Sequence, residues 1–251
     1  MLSRHLCHYF IMKNETPIFL PISAIIPALN EEARITGAID SLTSSGKFLE
    51  IVVADGGSSD ATCRLAETAG ARVVHCQNKG RGMQIAEAWD SCSGDVLVVL
   101  HADALFPERG TKAIQGCLKN MNIPGGAFSM GFKPATARTR IIAFLNHLRC
   151  RTSGISFGDQ CQFVRRSVIE SAGGFPAMKL MEDVELSLIM KGHGTPALLP
   201  QVVTVSPRRW ETTSFSQGVT RVLFLFFTYL IGRKLGHSPG DGSWYHQRYY
   251  S

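Results

Sequence analysis

Four short clusters along this 251-residue chain carry side chains that could do chemistry. Three follow apolar runs: Pro27-Ala28-Leu29-Asn30-Glu31-Glu32, Asp55-Gly56-Gly57-Ser58-Ser59-Asp60 and His101-Ala102-Asp103. The fourth, Glu182-Asp183-Val184-Glu185, opens a helical pattern. Asp55 closes a strongly apolar strand, and the glycines after it let a ligand approach the backbone, so it suits a hydrogen bond to a base or ribose as well as it suits a turn. Asp60 has the type and place of a helix cap. His101 and Asp103 are two apart; on an extended segment they point the same way and could share a divalent cation that bridges a diphosphate, or they could form a strand-end turn. Asp183 could take a proton from an acceptor hydroxyl, or be an acid favoured by the helix dipole. As a base it would need Glu182 to face elsewhere, toward an amide or a cation.

Two basic segments could meet the negative charge that develops on a departing diphosphate. Lys79-Gly80-Arg81-Gly82 opens a helix, so Lys79 and Arg81 add cations to helix-terminal amides; a solvated basic turn is the alternative. In Arg208-Arg209-Trp210, Arg209 belongs to a fork that fits a diphosphate, and Trp210 could cover the site or stack on a sugar; a surface Arg pair beside a core Trp is the alternative. His193, in Lys191-Gly192-His193-Gly194, is either a third metal ligand or a loop residue.

Alternating elements must position these groups. Apolar runs at Ile22 to Ile26, Leu49 to Ala54, Arg72 to His75 and Val96 to Leu100 have the length and flanks of buried parallel strands. Between them lie helical patterns. Asn30 is placed to cap the first, with Glu31 and Glu32 in its first turn and Ile35, Ala38, Ile39 and Leu42 on one stripe. Asp60 opens the second, through Leu65 and Ala69, and the third runs from about Gly82 to Ser91. The rhythm predicts a parallel sheet with right-handed crossovers and ligands at the strands' carboxyl ends. After Asp103 it changes: a helix near Pro107 to Lys119, a glycine-rich strand from Gly125 to Phe132, a basic helix from Ala135 to Arg151, a strand near Gln160 to Val164, then paired strands near Leu198 and Val202 to Val205.

The four motifs, Ile25 to Glu32, Val52 to Asp60, Leu100 to Asp103 and Met181 to Leu186, resemble those of family 2 glycosyltransferases, most closely the single-domain radical-SAM/selenodomain-associated branch. The resemblance spans about residues 22 to 235. It implies an α/β GT-A fold: a Rossmann-like, mostly parallel central sheet flanked by helices, here followed by a C-terminal amphipathic helical segment. It implies a single domain over 22–235, with a nucleotide-sugar half (22–104), an acceptor half (105–212) and an apolar and basic helix (213–235), between an unassigned lead (1–21) and a tail (236–251). Asp55 resembles the carboxylate that binds the nucleotide base, with Pro27, Asn30 and Glu32 lining its pocket and Ala102 and Asp103 along the nucleotide sugar. Asp103 matches the last Asp of the family's Asp-x-Asp metal motif, whose first Asp is His101 here. That departure bears on which divalent metal, Mg or Mn, the site takes. Glu182 and Asp183 resemble the family's Glu-Asp pair, whose Asp is the general base of an inverting transfer. Asp159 and Gln160 lie where the family shapes its acceptor pocket.

The implied partners are a UDP or GDP sugar and an unidentified acceptor, for which a lipid-linked molecule is one option. Lys133 to Arg166 holds seven cations and one acid, and Arg208 to the end six and two, on an otherwise mildly acidic body. Such segments suit an anionic ligand or membrane surface. Ser214 to Leu235 suits a helix buried in the core, in a homo-oligomer or at a membrane interface. No recognition-helix, zinc or stacking-platform motif points to nucleic acid. Seven cysteines without a Cys-x-x-Cys pair, no long apolar leader and no spanning segment make a cytoplasmic location the expectation, with peripheral contact at the inner membrane face added to it.

Three other functions compete. A sugar nucleotidyltransferase would want a glycine-rich basic loop after the first strand, and a dehydrogenase a Gly-x-Gly-x-x-Gly. A catalytically silent nucleotide-binding or membrane-docking protein of the same fold is kept open by His101.

Overall fold

The computed structural model describes residues 19–208, 215–237 and 240–250. Short apolar runs closed by turn residues form β1 (Ile22–Ala28), β2 (Glu50–Asp55), β3 (Arg72–His75) and β4 (Val96–Val99), which pair in parallel in the order β3-β2-β1-β4. Every residue of β1 is buried because helices cover both faces. Ile22, Ala24 and Ile26 face the stripe Ile35, Ala38, Ile39 and Leu42 of α1 (Ile35–Ser45), beside α2 (Thr62–Thr68). The alternate residue Ile25 joins Ile85, Ala88 and Trp89 of α3 (Arg81–Trp89) on the other face. Each such buried Ile or Leu side chain contributes about 1.5–3 kcal/mol.

Asn30 does not cap α1, which starts five residues later and has no side-chain cap. It adopts the left-handed region at φ 55° and turns its side chain toward the next loop.

The second half contributes β5 (Ala104–Leu105), α4 (Gly110–Cys117), β6 (Gly125–Phe132), α5 (Ala137–Ser153), a 3-10 turn (Gly158–Gln160), β7 (Phe163–Arg165), α6 (Arg166–Ser171), α7 (Glu182–His193), β8 (Ala197–Val205), α8 (Phe215–Lys234) and α9 (Ser243–Tyr250). The mixed sheet of eight strands runs β3-β2-β1-β4-β7-β6-β8-β5, with β7 antiparallel to both neighbours. The two strands expected near Leu198 and Val202 to Val205 are one strand, β8, whose register against β6 shifts at Phe128/Ser129. A side chain at Gly125 or Gly126 would meet the carbonyl oxygens of Phe163 and Ala197 at 2.3 and 2.1 Å, so the glycines admit β7 and β8. That insertion brings the 3-10 turn to the end of β4. The six cysteines among the described residues are free thiols.

Candidate active site

Registers Ala28↔Asp55, Asp55↔His75 and Ile25↔Val99 place the ends of β1 to β4 along one edge of the sheet. Two loops there are laced together. Asn30 Oδ1 accepts from Ser59 N at 2.9 Å and Glu32 Oε2 from Ala61 N at 3.0 Å, while Ser58 Oγ and Asp60 Oδ2 accept from Asn30 N and Glu32 N. Asp60 Oδ1 also takes the Thr62 amide at the start of α2, although the N-cap position itself is Ala61 and carries no side-chain cap. Asp55 is buried, and its carboxylate accepts from the amides of Gly57 and Ser58, with His75 Nδ1 at 3.5 Å. Burial opposes its charge, but the bonds from Ser58, Gly57 and His75 prevail and hold it below the usual carboxylate range. Gln84, on α3, donates to both Ala28 O and Ala54 O at 2.9 Å, clamping the ends of β1 and β2.

The acids of the fourth motif begin α7, after Met181 at φ 72°. Glu182 and Asp183 diverge. Glu182 Oε1 accepts from Arg81 Nε, and its other oxygen is buried with no hydrogen-bond partner among the described residues. Burial drives the Glu182 pKa upward; Arg81 opposes this and Asp183 reinforces it. Asp183 Oδ1 accepts from Val184 N and Oδ2 from Gly158 N, both at 2.8 Å, with Arg81 Nη2 at 3.5 Å. A Cβ at Gly158 would stand 2.6 Å from His101 Nε2 and 3.4 Å from Asp183 Oδ2, so imidazole and carboxylate lie on either side of one glycine.

Strand β4 ends at Val99, and His101 to Ala104 form a turn closed by a 3.0 Å bond from Ala104 N to His101 O. His101 and Asp103 are therefore brought together by a turn, not by strand alternation. Both line a cavity of about 460 Å³ with Arg81, Asp159 and Asp183. The far wall is apolar, built from α5 and α8. Asp103 also borders a hollow of about 310 Å³ with Ala102, Arg34 and Lys133.

Residues 23–122 match the family model Glycosyl transferase family 2. The match takes in less than half of the chain. The chain superimposes on glucosyl-3-phosphoglycerate synthase of Mycobacterium tuberculosis in complex with Mn2+, UDP and glucosyl-3-phosphoglycerate, with a TM-score of 0.52 and 24% identity over 81% of this chain and 78% of that one. It superimposes on a mannosyltransferase of Pyrobaculum calidifontis in complex with GDP-Man and Mn2+ with a TM-score of 0.61 and 21% identity, over 83% and 62%. The fold is the GT-A fold. In sequence, the M. tuberculosis synthase is 36% identical over 96 residues, which are 34% of this chain and 30% of that protein. The undecaprenyl-phosphate 4-deoxy-4-formamido-L-arabinose transferase of Yersinia pestis is 25% identical over 164 residues, 60% of this chain and 50% of that protein. The chain thus spans half or less of the length of these curated relatives.

Within the matched residues, Asp55, Asn30 and Glu32 share the strand-end edge but line neither hollow, and Pro27 is buried in β1 opposite Ala54. Lys79 is exposed and outside both hollows. Asp55, Cys63 and His75 bring possible ligand atoms within 4.8 Å of one another, yet both Asp55 oxygens already serve loop amides. A divalent ion fits His101 and Asp103 better: an imidazole and a carboxylate share the cavity's polar end, and the lack of a Cβ at Gly158 is what lets the imidazole lie there.

Beyond the matched residues, the expectation for Gln160 fails, as does the metal-ligand alternative for His193. Gln160 is fully buried, its oxygen held by Arg149 at 2.7 Å and Phe157 N at 3.2 Å, so it supports the turn and does not line the cavity. His193 ends α7, eleven residues or about 16 Å from Glu182. It bonds to Ser171 and to its own helix, out of reach of a metal at His101. Asp159 does line the cavity. Arg209 and Trp210 lie outside the described residues. The sequence reading missed Arg149, which lines the cavity and stacks on Phe157 with its guanidinium 3.3 Å from the ring centroid. Burial lowers the Arg149 pKa, and Asp159 and Asp183 oppose that shift.

Proposed function

We propose that the protein transfers a sugar from a nucleoside diphosphate sugar to an acceptor, with inversion at the anomeric carbon. The observation that carries this reading is the meeting of His101, Asp103, Arg81 and Asp183 in one cavity at the carboxyl edge of the sheet. Asp183 accepts the acceptor's proton as its oxygen attacks. The amides of Gly158 and Val184 hold the carboxylate in place, and Glu182 anchors Arg81 beside it. Asp55, with the laced loops of Pro27, Asn30 and Glu32, is the base-binding edge. His101 and Asp103 hold the divalent ion, Mn2+ or Mg2+, which when bound neutralises charge on the leaving diphosphate. An imidazole donor favours Mn2+.

The donor half is 22–104 and the acceptor half 105–212, followed by the apolar and basic helix of 213–235. Asp159 and Trp210 serve the acceptor, and Lys79 and Arg209 the diphosphate. The two superimposed relatives carry UDP and GDP-Man, and these nucleotides are the first donors to try. The likeness to the radical-SAM/selenodomain-associated branch rests on the motifs and on the segment from Arg208 to Trp210.

Calorimetry with UDP or GDP, with and without Mn2+, followed by hydrolysis of UDP-glucose and GDP-mannose, tests the proposal. Metal-dependent nucleotide binding with donor turnover supports it. Absence of binding to either nucleotide overturns it, and binding without turnover favours the silent nucleotide-binding reading that the replacement of an Asp by His101 suggests.

A further inference from the structure

Helix α5 carries two faces. Ile142, Asn146 and Cys150 are buried, whereas Ile141, Phe144, Leu145 and Leu148 form an exposed stripe at helical spacing, with Phe144 64% exposed. Helix α8 is built alike: Leu225, Phe226 and Tyr229 are buried, and Leu223, Phe224, Phe227 and Ile231 are exposed. Leu145 and Leu148 of the first stripe and Leu223 and Phe227 of the second also line the cavity that holds Asp103 and Asp183. The cavity therefore runs from a polar end with the candidate base to an apolar wall continuous with two exposed apolar stripes. A small charged acceptor has no use for such a wall.

Charge decides what covers the stripes. Residues 133–158 hold five Arg or Lys and no acid, and α8 holds Arg221, Arg233 and Lys234 and no acid. A second copy seated on this face by two-fold symmetry would set cation against cation. Anionic lipid headgroups would complement both helices. No helix among the described residues is long and apolar enough to cross a membrane, so contact of this kind is interfacial.

We propose, resting on the glycosyltransferase reading, that the acceptor is an amphipathic lipid taken from an anionic bilayer. Its chain lies between α5 and α8, and its hydroxyl or phosphate head reaches Asp183. Phe144 and Phe224, exposed and outside the cavity lining, serve membrane contact alone; Leu145 and Leu223 form the chain's channel.

Three measurements test this on the full chain. Sedimentation with phosphatidylcholine vesicles, with and without phosphatidylglycerol, should show binding that needs the anionic lipid and falls about tenfold or more in Phe144→Glu/Phe224→Glu. Calorimetry with UDP and Mn2+ should be unchanged in that variant, which also shows that it is folded. Dodecyl phosphate should bind the wild type and be lost in Leu145→Trp/Leu223→Trp, which keeps its vesicle binding. Indifference to anionic vesicles, failure of dodecyl phosphate to bind, or a stable dimer that Phe144→Glu/Phe224→Glu dissociates would each overturn the proposal. Failure of the wild type to bind UDP or GDP, with vesicle and dodecyl phosphate binding intact, sinks the transferase reading and leaves the lipid site standing.

Discussion

Arg81 Nε donates to the buried Oε1 of Glu182, 101 residues away, and so joins the first residue of α3 to the first residue of α7. The packing beneath is close: a Cβ at Gly82 would meet Met178 O at 2.4 Å and Glu182 Cβ at 2.6 Å. Arg81 is thus an ion-pair partner that orients the Glu-Asp pair as well as a cation in the cavity. Both roles follow from one guanidinium, whose Nη2 lies 3.5 Å from Asp183.

Removing Arg81 leaves a carboxylate stranded in the interior. Arg81→Met should destabilise the protein by about 3–5 kcal/mol, and Arg81→Met/Glu182→Met should recover most of that loss. Urea denaturation of the three proteins checks this; equal stability of wild type and Arg81→Met would show the pair to be idle.

The pH dependence of Glu182 has a defined sign. Its pKa in the folded protein lies above the ordinary 4.5, so above that pH the native state holds more protons than the unfolded chain. Its contribution is fully present below 4.5 and is lost as pH rises through the folded value. The stability of wild type relative to Glu182→Gln should therefore decline with pH across that window. Parallel melting curves for the two proteins from acid to neutral pH would contradict the burial argument.

Asp183→Asn keeps the shape and removes the base. Turnover should drop by about 10²–10⁴ while UDP affinity holds. One of the two amides, of Gly158 or Val184, loses its acceptor, at a cost of about 1–2 kcal/mol. Steady-state kinetics beside calorimetry separates these effects, and undiminished turnover would remove Asp183 from the chemistry.

Gly158→Ala puts a methyl group 2.6 Å from His101 Nε2, so the imidazole must turn away. The Mn2+ concentration for half-maximal nucleotide binding should rise by about 10–100-fold. A titration of Mn2+ at fixed UDP measures it, and an unchanged midpoint would place the ion elsewhere.

Asn30 combines a left-handed backbone with a bond to Ser59 N. Asn30→Gly should lose only the bond, about 1 kcal/mol, whereas Asn30→Ala should lose a further ~1 kcal/mol to backbone strain. Denaturation midpoints that rank alanine above glycine would refute this account of the loop.

What the chain determines locally was legible in its sequence. The runs Ile22 to Ile26, Leu49 to Ala54, Arg72 to His75 and Val96 to Leu100, each within two residues of the end of its strand, and the stripe Ile35, Ala38, Ile39 and Leu42 follow from periodicity and turn residues, because a helix or strand must bury its apolar side whatever covers it. The placing of Asp55, Asp103 and Asp183 at element ends was visible for the same reason. Tertiary structure alone decided which elements meet: β7 antiparallel beside β4, Gly158 between His101 and Asp183, Arg81 on Glu182, Gln160 buried under Arg149, and α5 facing α8 across the cavity. Periodicity tells which face of an element is apolar but not which distant segment packs on it, and those pairings are settled by the close packing of the whole chain.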